Sequence, residues 1–167
     1  CSEYMSLDNS SCNLASLNLM KFLKQDGSFD SRTFARAAEL IITAMDISIC
    51  FADFPTTAIG ETTRAYRQLG IGYANLGALL MASGLAYDSE GGRALAGAIT
   101  SLMSGITYKR SAELAGIVGA YDGFARNAQA HARVMRKHAS ASSAAKHFST
   151  LDDDVWAVAN KAWDDCL

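Results

Sequence analysis

Two cysteines near the start of the chain, the first with a carboxylate beside it, are the residues best suited to chemistry. Cys1 and Glu3 are two positions apart, so their side chains face the same way if the segment is extended. A thiol beside a carboxylate suits hydrogen abstraction helped by a general base. Cys12 follows a polar run, 8–11, that could turn it back toward Cys1. Taken alone, the Cys-x-Glu triplet is common by chance, and spacing alone favours Cys12 as a small buried apolar side chain.

Two other features admit a functional interpretation, but a structural one is favoured for each. Asp46 interrupts the apolar run IITAMDISICF, and we expect it to be a hydrogen-bonded structural aspartate. Gly70 and Gly72, together with Gly77, superficially resemble a nucleotide-binding loop. No convincing strand precedes these glycines, so we expect them to allow tight helix packing.

Three histidines lie in a basic region toward the end of the chain. The histidines and their basic neighbours are His131, His138, His147, Arg126, Arg133, Arg136, Lys137 and Lys146. A zinc site or a nucleic-acid site is conceivable there, but a solvated basic face is the expected outcome. No residue of the chain is predicted to be a metal ligand.

Length and composition indicate one domain without a general affinity for polyanions. The chain has 167 residues and a net charge of −2, from 15 basic and 17 acidic side chains, which gives no electrostatic case for nucleic acid or an anionic membrane. The four cysteines are too widely and irregularly spaced for the disulfide framework of a small secreted domain. No secretory signal opens the chain, so a cytoplasmic location with reduced thiols is expected.

One long uncharged run could be mistaken for a membrane span. The segment from Gln68 to Tyr87 has 20 uncharged positions, enough to cross a bilayer of roughly 30 Å. It also contains Asn75, Ser83 and several glycines, and basic residues do not crowd one flank. A buried, closely packed helix of a globular core is therefore expected there.

The elements that must position these residues are predicted to be mainly helical. Periodicity cannot decide whether Cys12–Leu19 is a short buried strand or the start of a helix. Capping residues, proline and glycine predict helices at about 30–51, 55–68, 72–82, 89–117, 124–139 and from a cap at Thr150 onward. The segment 139–149 reads as a loose connector. Trp156 and Trp163, one heptad apart, are expected to anchor the packing of the last helix.

Several long runs of the chain resemble class II ribonucleotide reductases, the adenosylcobalamin-dependent group, and most closely the actinobacterial type. These runs are CSEYMSLDNSSCNLASLNL at the start, Arg64–Met81, Gly84–Gly105 and YDGFARNAQAHARVMRKH. The resemblance implies a catalytic domain that is a ten-stranded α/β barrel with the radical cysteine on an internal finger loop. The 167 residues would form a single, partial catalytic domain, which is one part of that barrel. Residues 1–20 would form the finger loop and the following strand, and residues 30–167 a helical segment, so helices plus one or two short strands are expected.

The same resemblance assigns roles to the first residues. Cys1 matches the cysteine that becomes a thiyl radical and abstracts the 3′ hydrogen of the substrate ribose. Glu3 matches the carboxylate that removes the 3′-hydroxyl proton, and Ser2 lies with Cys1 and Glu3 in the substrate-contacting segment. Cys12 matches one member of the cysteine pair that reduces the radical intermediate and becomes a redox-active disulfide.

The function implied is reduction of ribonucleoside diphosphates to deoxyribonucleotides for DNA synthesis, with adenosylcobalamin as cofactor. The implied partners are the ribonucleotide, a thiol reductant such as thioredoxin and the remainder of the same polypeptide, with neither nucleic acid nor membrane. Cys50 and Cys166 match no redox position of the family and are expected to be structural. Because the second redox cysteine should lie upstream, we expect the chain to be an internal fragment that is inactive by itself. The alternatives are a reductase that needs a separate metal-radical subunit, or a helical interaction module whose cysteines are inert.

Overall fold

The structure is a computed structural model that describes residues 5–167, apart from the side chain of Thr150. The described part is mainly helical, as predicted, with two strands and one 3-10 turn at Leu19–Phe22. The strands are β1 (Asn13–Asn18) and β2 (Leu69–Ala74). The helices are α1 (Ser31–Ile49), α2 (Thr57–Tyr66), α3 (Leu76–Ala82), α4 (Glu90–Val118), α5 (Phe124–Ser143) and α6 (Thr150–Cys166).

The two strands pair in parallel, in a register that runs from Asn13 opposite Leu69 to Asn18 opposite Ala74. Alternate residues of β1 point to opposite faces, so Leu17 packs against the core while Leu14 is exposed. At the carboxyl ends of the strands, the Asn75 side-chain amide donates to Asn18 Oδ1 at 2.9 Å. This small open sheet fits the prediction of one or two strands, and the described residues do not form a closed barrel.

The core lies where α4 packs against α1 and α6. Its fully buried side chains include Phe34, Leu79, Leu80, Ile99, Leu102 and Val155. Trp156 and Trp163 are 4% and 2% exposed, which confirms them as packing anchors. Burial of this apolar surface is the main force that holds the helices and the sheet together.

A chain of hydrogen bonds, here called the serine relay, joins α4, α5 and α6 inside this packing. The Trp163 indole N–H donates to Ser101 Oγ at 3.0 Å, and the Ser101 hydroxyl donates to Ser142 Oγ at 2.7 Å. The Ser142 hydroxyl, in turn, donates to Asn160 Oδ1 at 2.7 Å. Ser142 is 4% exposed, so this bonding satisfies polar groups that water cannot easily reach.

The predicted helix starts near residues 30 and 89 are confirmed, and each of these helices follows a capping side chain. The Asp30 carboxylate accepts a hydrogen bond from the Thr33 backbone N–H at 3.0 Å and so begins α1 at Ser31. Ser89 caps α4 in the same way, through the Gly92 N–H, and α4 ends at Gly119, where φ is +92°. Such caps satisfy backbone N–H groups that have no partner inside the helix.

The prediction of a helix at Gly72–Ala82 was wrong at its start. Residues Leu69–Ala74 form β2, and Asn75, with φ of +68°, separates that strand from α3. The glycines at positions 70 and 72 therefore lie in a strand, not in a tight helix contact, and the run 68–87 is not one buried helix. The physical reason is that β1 supplies a hydrogen-bonding partner, which periodicity within the run cannot reveal. Among the described residues no helix has both the length and the hydropathy that a membrane crossing requires.

Two predictions near the end of the chain also need correction. α5 continues to Ser143, so the connector is restricted to residues 144–149. The cap of α6 is Ser149 and not Thr150, because Ser149 Oγ accepts from the Leu151 N–H while the Asp152 carboxylate accepts from the Ser149 N–H at 2.8 Å. This reciprocal arrangement is a capping box.

Candidate functional site

Of the predicted site residues, Cys12 alone lies within the part of the chain that the structure describes. Cys1, Ser2 and Glu3 lie outside the described residues. Cys12 directly precedes β1 and is half-buried, with its thiol donating to the Asn13 carbonyl oxygen at 3.6 Å. A partly accessible thiol at a fixed place in the fold can exchange with a disulfide through its thiolate.

The polar run before Cys12 forms the turn that the sequence predicted. Asp8 and Asn9 are turn residues, and Asn9 adopts a φ of +53°, a conformation that asparagine tolerates better than most residues. The Ser10 hydroxyl lies 2.6 Å from the Leu7 carbonyl oxygen, which closes the turn. The chain therefore changes direction just before Cys12.

Backbone hydrogen bonds hold the residue on each side of Cys12. On the upstream side, the Ser11 N–H donates to Thr63 Oγ1 of α2 at 2.8 Å. On the downstream side, the Asn13 N–H donates to the Gln68 carbonyl oxygen at 3.3 Å. Thr63 and Gln68 are 1% and 8% exposed, so both anchors are buried. The backbone at Cys12 is thus fixed by contacts to segments more than 50 residues away.

The Asn13 side chain adds a third attachment, to the last turns of α1. Its amide donates to the Met45 carbonyl oxygen at 2.9 Å and also contacts the Ser48 hydroxyl. The Ser48 hydroxyl itself lies 2.8 Å from the Met45 carbonyl oxygen. The cysteine segment is therefore joined to α1, α2 and β2 at once.

An ion pair between α1 and the end of α2 fixes the position of this anchoring helix. Arg67 follows α2 in the left-handed conformation, and its Nε lies 2.8 Å from Asp46 Oδ1. The guanidinium also donates to the Asp46 carbonyl oxygen at 2.6 Å and to Cys50 Sγ at 3.6 Å. Hydrogen bonding to Asp46 is the main reason that the pKa of Arg67 is raised. Asp46 is therefore a structural aspartate, as predicted.

The three histidines occupy separate aromatic environments. His131 lies 5.6 Å from Phe124 between ring centroids, His138 stacks on Trp163 at 5.9 Å, and His147 stacks on Trp156 at 5.7 Å. Within residues 5–167 no group of three or more His, Cys, Asp and Glu side chains is placed to hold a metal ion. The neighbouring basic residues are exposed, in agreement with a solvated basic face; they are Arg126, Arg133, Arg136, Lys137 and Lys146.

Sequence reasoning missed the residues that hold the cysteine segment. The second half of α2 reads GETTRAY, and nothing in that run distinguishes Thr63 from Thr62. Of the two, only Thr63 is buried. Asn13 could have been suspected because, in a strand, its side chain shares a face with the apolar Ala15 and Leu17. Its partners on α1 follow only from the three-dimensional packing.

Comparison with known proteins gives matches along the whole chain. The family described as ribonucleotide reductase, barrel domain, matches residues 1–166. A vitamin B12-dependent ribonucleotide reductase from Streptomyces avermitilis is 70% identical over 171 aligned positions, which cover 100% of this chain and 18% of the relative. One from Rhodopirellula baltica is 42% identical over 171 positions, covering 100% of this chain and 16% of the relative.

A more distant relative carries a more specific name. The vitamin B12-dependent ribonucleoside-diphosphate reductase of Mycobacterium tuberculosis is 34% identical over 124 positions, which cover 74% of this chain and 18% of the relative. The chain thus spans between 16% and 18% of the length of these three relatives.

Proposed function

The chain belongs to the ribonucleotide reductase barrel-domain family, and we propose that the whole protein reduces ribonucleotides to deoxyribonucleotides with vitamin B12, as adenosylcobalamin, for its cofactor. The observation that carries this proposal is 70% identity to a relative of that name over the full length of the chain. The match includes the segment from Cys1 to Cys12. The name of the Mycobacterium tuberculosis relative supports diphosphates as the substrate class.

The roles proposed for the first residues divide the reaction into abstraction and reduction. A thiyl radical at Cys1 takes the hydrogen atom from C3′ of the ribose and so becomes a thiol. The Glu3 carboxylate accepts the 3′-hydroxyl proton while the 2′-hydroxyl takes a proton from the reducing thiols and leaves as water, and Ser2 contacts the substrate. After reduction at C2′, Glu3 returns its proton to the 3′ oxygen and Cys1 returns the hydrogen atom to C3′. A free glutamic acid, with a pKa of about 4.3, is already ionised at neutral pH.

Reduction is assigned to Cys12 and a second cysteine elsewhere in the whole protein. The two thiols supply two electrons and two protons in total, and they end as a disulfide that an external thiol reductant of the thioredoxin kind must reopen. What supports this role is the placement of Cys12, which is half-buried and attached on both sides to buried anchors. A cytoplasmic location would keep both cysteines reduced between turnovers.

The cofactor itself is assigned to none of the described residues. Two surface depressions of residues 5–167 lie beside α5, one lined in part by Tyr66 and Arg126 and the other by Arg136 and Leu167. Because the chain spans 18% of the length of the Streptomyces avermitilis relative, the cofactor is assigned to the whole protein. The roles proposed for the described residues therefore concern their own side chains.

The test is a set of cysteine variants of the whole protein. Cys12→Ser should block multiple turnover but leave isotope exchange of the 3′ hydrogen intact, because Cys12 acts after abstraction. Cys1→Ser should abolish both, because a hydroxyl hydrogen is much harder to abstract than a thiol hydrogen. Cys50→Ser is the matched control, since Cys50 is exposed, is assigned no redox role, and a serine hydroxyl can still accept the hydrogen bond from Arg67.

Two outcomes would contradict the proposal. Deoxynucleotide formation by Cys1→Ser at the wild-type rate would remove Cys1 from the mechanism and would favour a helical module with inert cysteines. Failure of the purified protein to turn over with adenosylcobalamin, followed by activity with a metal-radical subunit, would identify the other type of reductase.

A further inference from the structure

We propose that Thr63 is a positioning residue that fixes the backbone upstream of Cys12 and thereby sets how readily Cys12 forms its disulfide. This inference rests on the proposed redox role of Cys12. The evidence is the hydrogen bond from the Ser11 N–H to Thr63 Oγ1, which is 2.8 Å long and joins residues 52 positions apart.

The other buried residue of α2 indicates that the burial of Thr63 does not serve the apolar core. The buried residues of this helix are Gly60 and Thr63, neither of which is a large apolar side chain. Thr63 is 1% exposed, and its hydroxyl oxygen is aimed at the cysteine segment. A threonine buried to this degree is better explained by its hydrogen bond than by the small apolar surface that it covers.

The hydrogen bond to Thr63 fixes the upstream side of Cys12, whereas strand β1 fixes the downstream side. Pairing with β2 begins at Asn13, where the first N–H contact, to the Gln68 carbonyl oxygen, is 3.3 Å long. Farther upstream, two positions before Cys12, the half-buried Ser10 hydroxyl lies 3.2 Å from Oε1 of the buried Gln68 side chain. On the upstream side Ser11 is the residue next to the cysteine, so its anchor limits where the Cys12 Cα lies more directly than the Ser10 contact does.

Disulfide chemistry is sensitive to that position. A disulfide normally requires the two Cα atoms to lie about 4.4–6.8 Å apart with a restricted torsion, and departures make the bond easier to reduce. If the Ser11 N–H lost its acceptor, residues 10–12 would sample more positions, and fewer of them would allow the bond. Abstraction of the 3′ hydrogen, assigned to Cys1 and Glu3, should not depend on this anchor.

The experiment compares three variants of the whole protein. Thr63→Val keeps the shape but removes the acceptor, Thr63→Ser keeps the hydroxyl, and Thr62→Val changes the neighbouring residue as a matched control. The measurements are the equilibrium of the Cys12 disulfide against a dithiothreitol redox buffer, the rate of Cys12 alkylation, multiple turnover and 3′ isotope exchange.

Thr63→Val should lower the equilibrium constant for disulfide formation about tenfold, equivalent to about 30 mV for this two-electron couple. It should slow multiple turnover to a similar degree, change the Cys12 alkylation rate and leave isotope exchange unchanged. Thr63→Ser should restore wild-type values, and Thr62→Val should never depart from them. A merely structural Thr63 would lower thermal stability in Thr63→Val without moving the disulfide equilibrium, and that result would overturn the proposal.

Hydrogen exchange of the wild-type protein gives a test that needs no variant to fold. The Ser11 amide should be protected to the same degree as amides within β1, because its acceptor is buried. Rapid exchange at Ser11 beside slow exchange in β1 would overturn the proposal. If Cys12→Ser leaves multiple turnover unchanged, the redox role of Cys12 fails instead. The alkylation rate of Cys12 in Thr63→Val would then still report whether Thr63 positions it.

Discussion

Replacing Ser142 by alanine should destabilise the chain more than any comparable change at its surface. Ser142 stands at the middle of the serine relay, accepting from Ser101 and donating to Asn160, both at 2.7 Å. Without its hydroxyl, the Ser101 O–H loses its acceptor and Asn160 Oδ1 loses its donor. Leaving a buried polar group unsatisfied costs about 1–3 kcal/mol. Ser101 and Asn160 are half-buried, so water can partly replace the lost bonds, and the expected loss is about 2 kcal/mol in total.

The assay is urea unfolding followed by tryptophan fluorescence, together with a thermal melt. For a domain of this size each kcal/mol corresponds to about 2–4 °C, so the melting temperature should fall by about 4–8 °C. Ser143→Ala is the matched control, because that exposed hydroxyl bonds to the Ala139 carbonyl of its own helix. It should change the free energy of unfolding by less than about 0.5 kcal/mol.

A double-mutant cycle tests whether the relay acts as a unit. In a Ser101→Ala background, Ser142→Ala should cost less than in the wild type, with a coupling energy of at least about 0.5 kcal/mol. Equal losses for Ser142→Ala and Ser143→Ala, or strict additivity in the cycle, would refute the reasoning that these hydroxyls depend on one another.

Two further changes test a helix cap and a close contact. The Asp30 carboxylate accepts hydrogen bonds from the backbone and side chain of Thr33, and these bonds lower the pKa of Asp30. The stabilisation that the carboxylate gives to the folded chain is therefore present above the ordinary aspartate pKa. It is lost as the pH falls through the lower pKa of the folded state. Asp30→Ala should therefore cost about 1 kcal/mol at pH 7 and less at pH 3, measured by urea unfolding at both pH values; a cost that does not fall with pH would contradict this. Gly123→Ala should lower the melting temperature because the new Cβ would lie 2.3 Å from the Tyr66 ring. Gly116→Ala should not, because no atom lies within 4 Å of a Cβ at that position. Equal melting temperatures for the two variants would show that the Tyr66 ring moves aside freely.

Local signals were enough to predict most of the helices. Asp30 and Ser89 are capping residues followed by apolar stripes, and α1 and α4 begin where those caps indicate. β2 could not be predicted in this way, because an apolar run with two glycines becomes a strand only when β1 lies beside it. The end of α5 was predicted at residue 139 and lies at Ser143. Ser142 is typical of a connector in sequence, and its hydrogen bonds to Ser101 and Asn160 follow only from the packing of the helices.

The candidate site was predictable in part. The turn at Asp8 and Asn9 and a strand beginning next to Cys12 agree with the sequence analysis. The roles of Cys1 and Glu3 stay predictions, because both residues lie outside the described part of the chain. The anchor at Thr63 was out of reach, because a contact that spans 52 positions leaves no local pattern.

Parallel pairing of β1 with β2 also has a consequence for how the chain is made. A parallel pair cannot be joined by a tight hairpin, so the two strands are joined by a crossover that contains α1 and α2. During synthesis at roughly 5–20 residues per second, Cys12 leaves the ribosome about 3–10 s before Thr63 and β2 do. Until those later segments have been made, the Cys12 segment lacks the hydrogen bonds to Thr63 and Gln68 that fix its backbone in the folded chain.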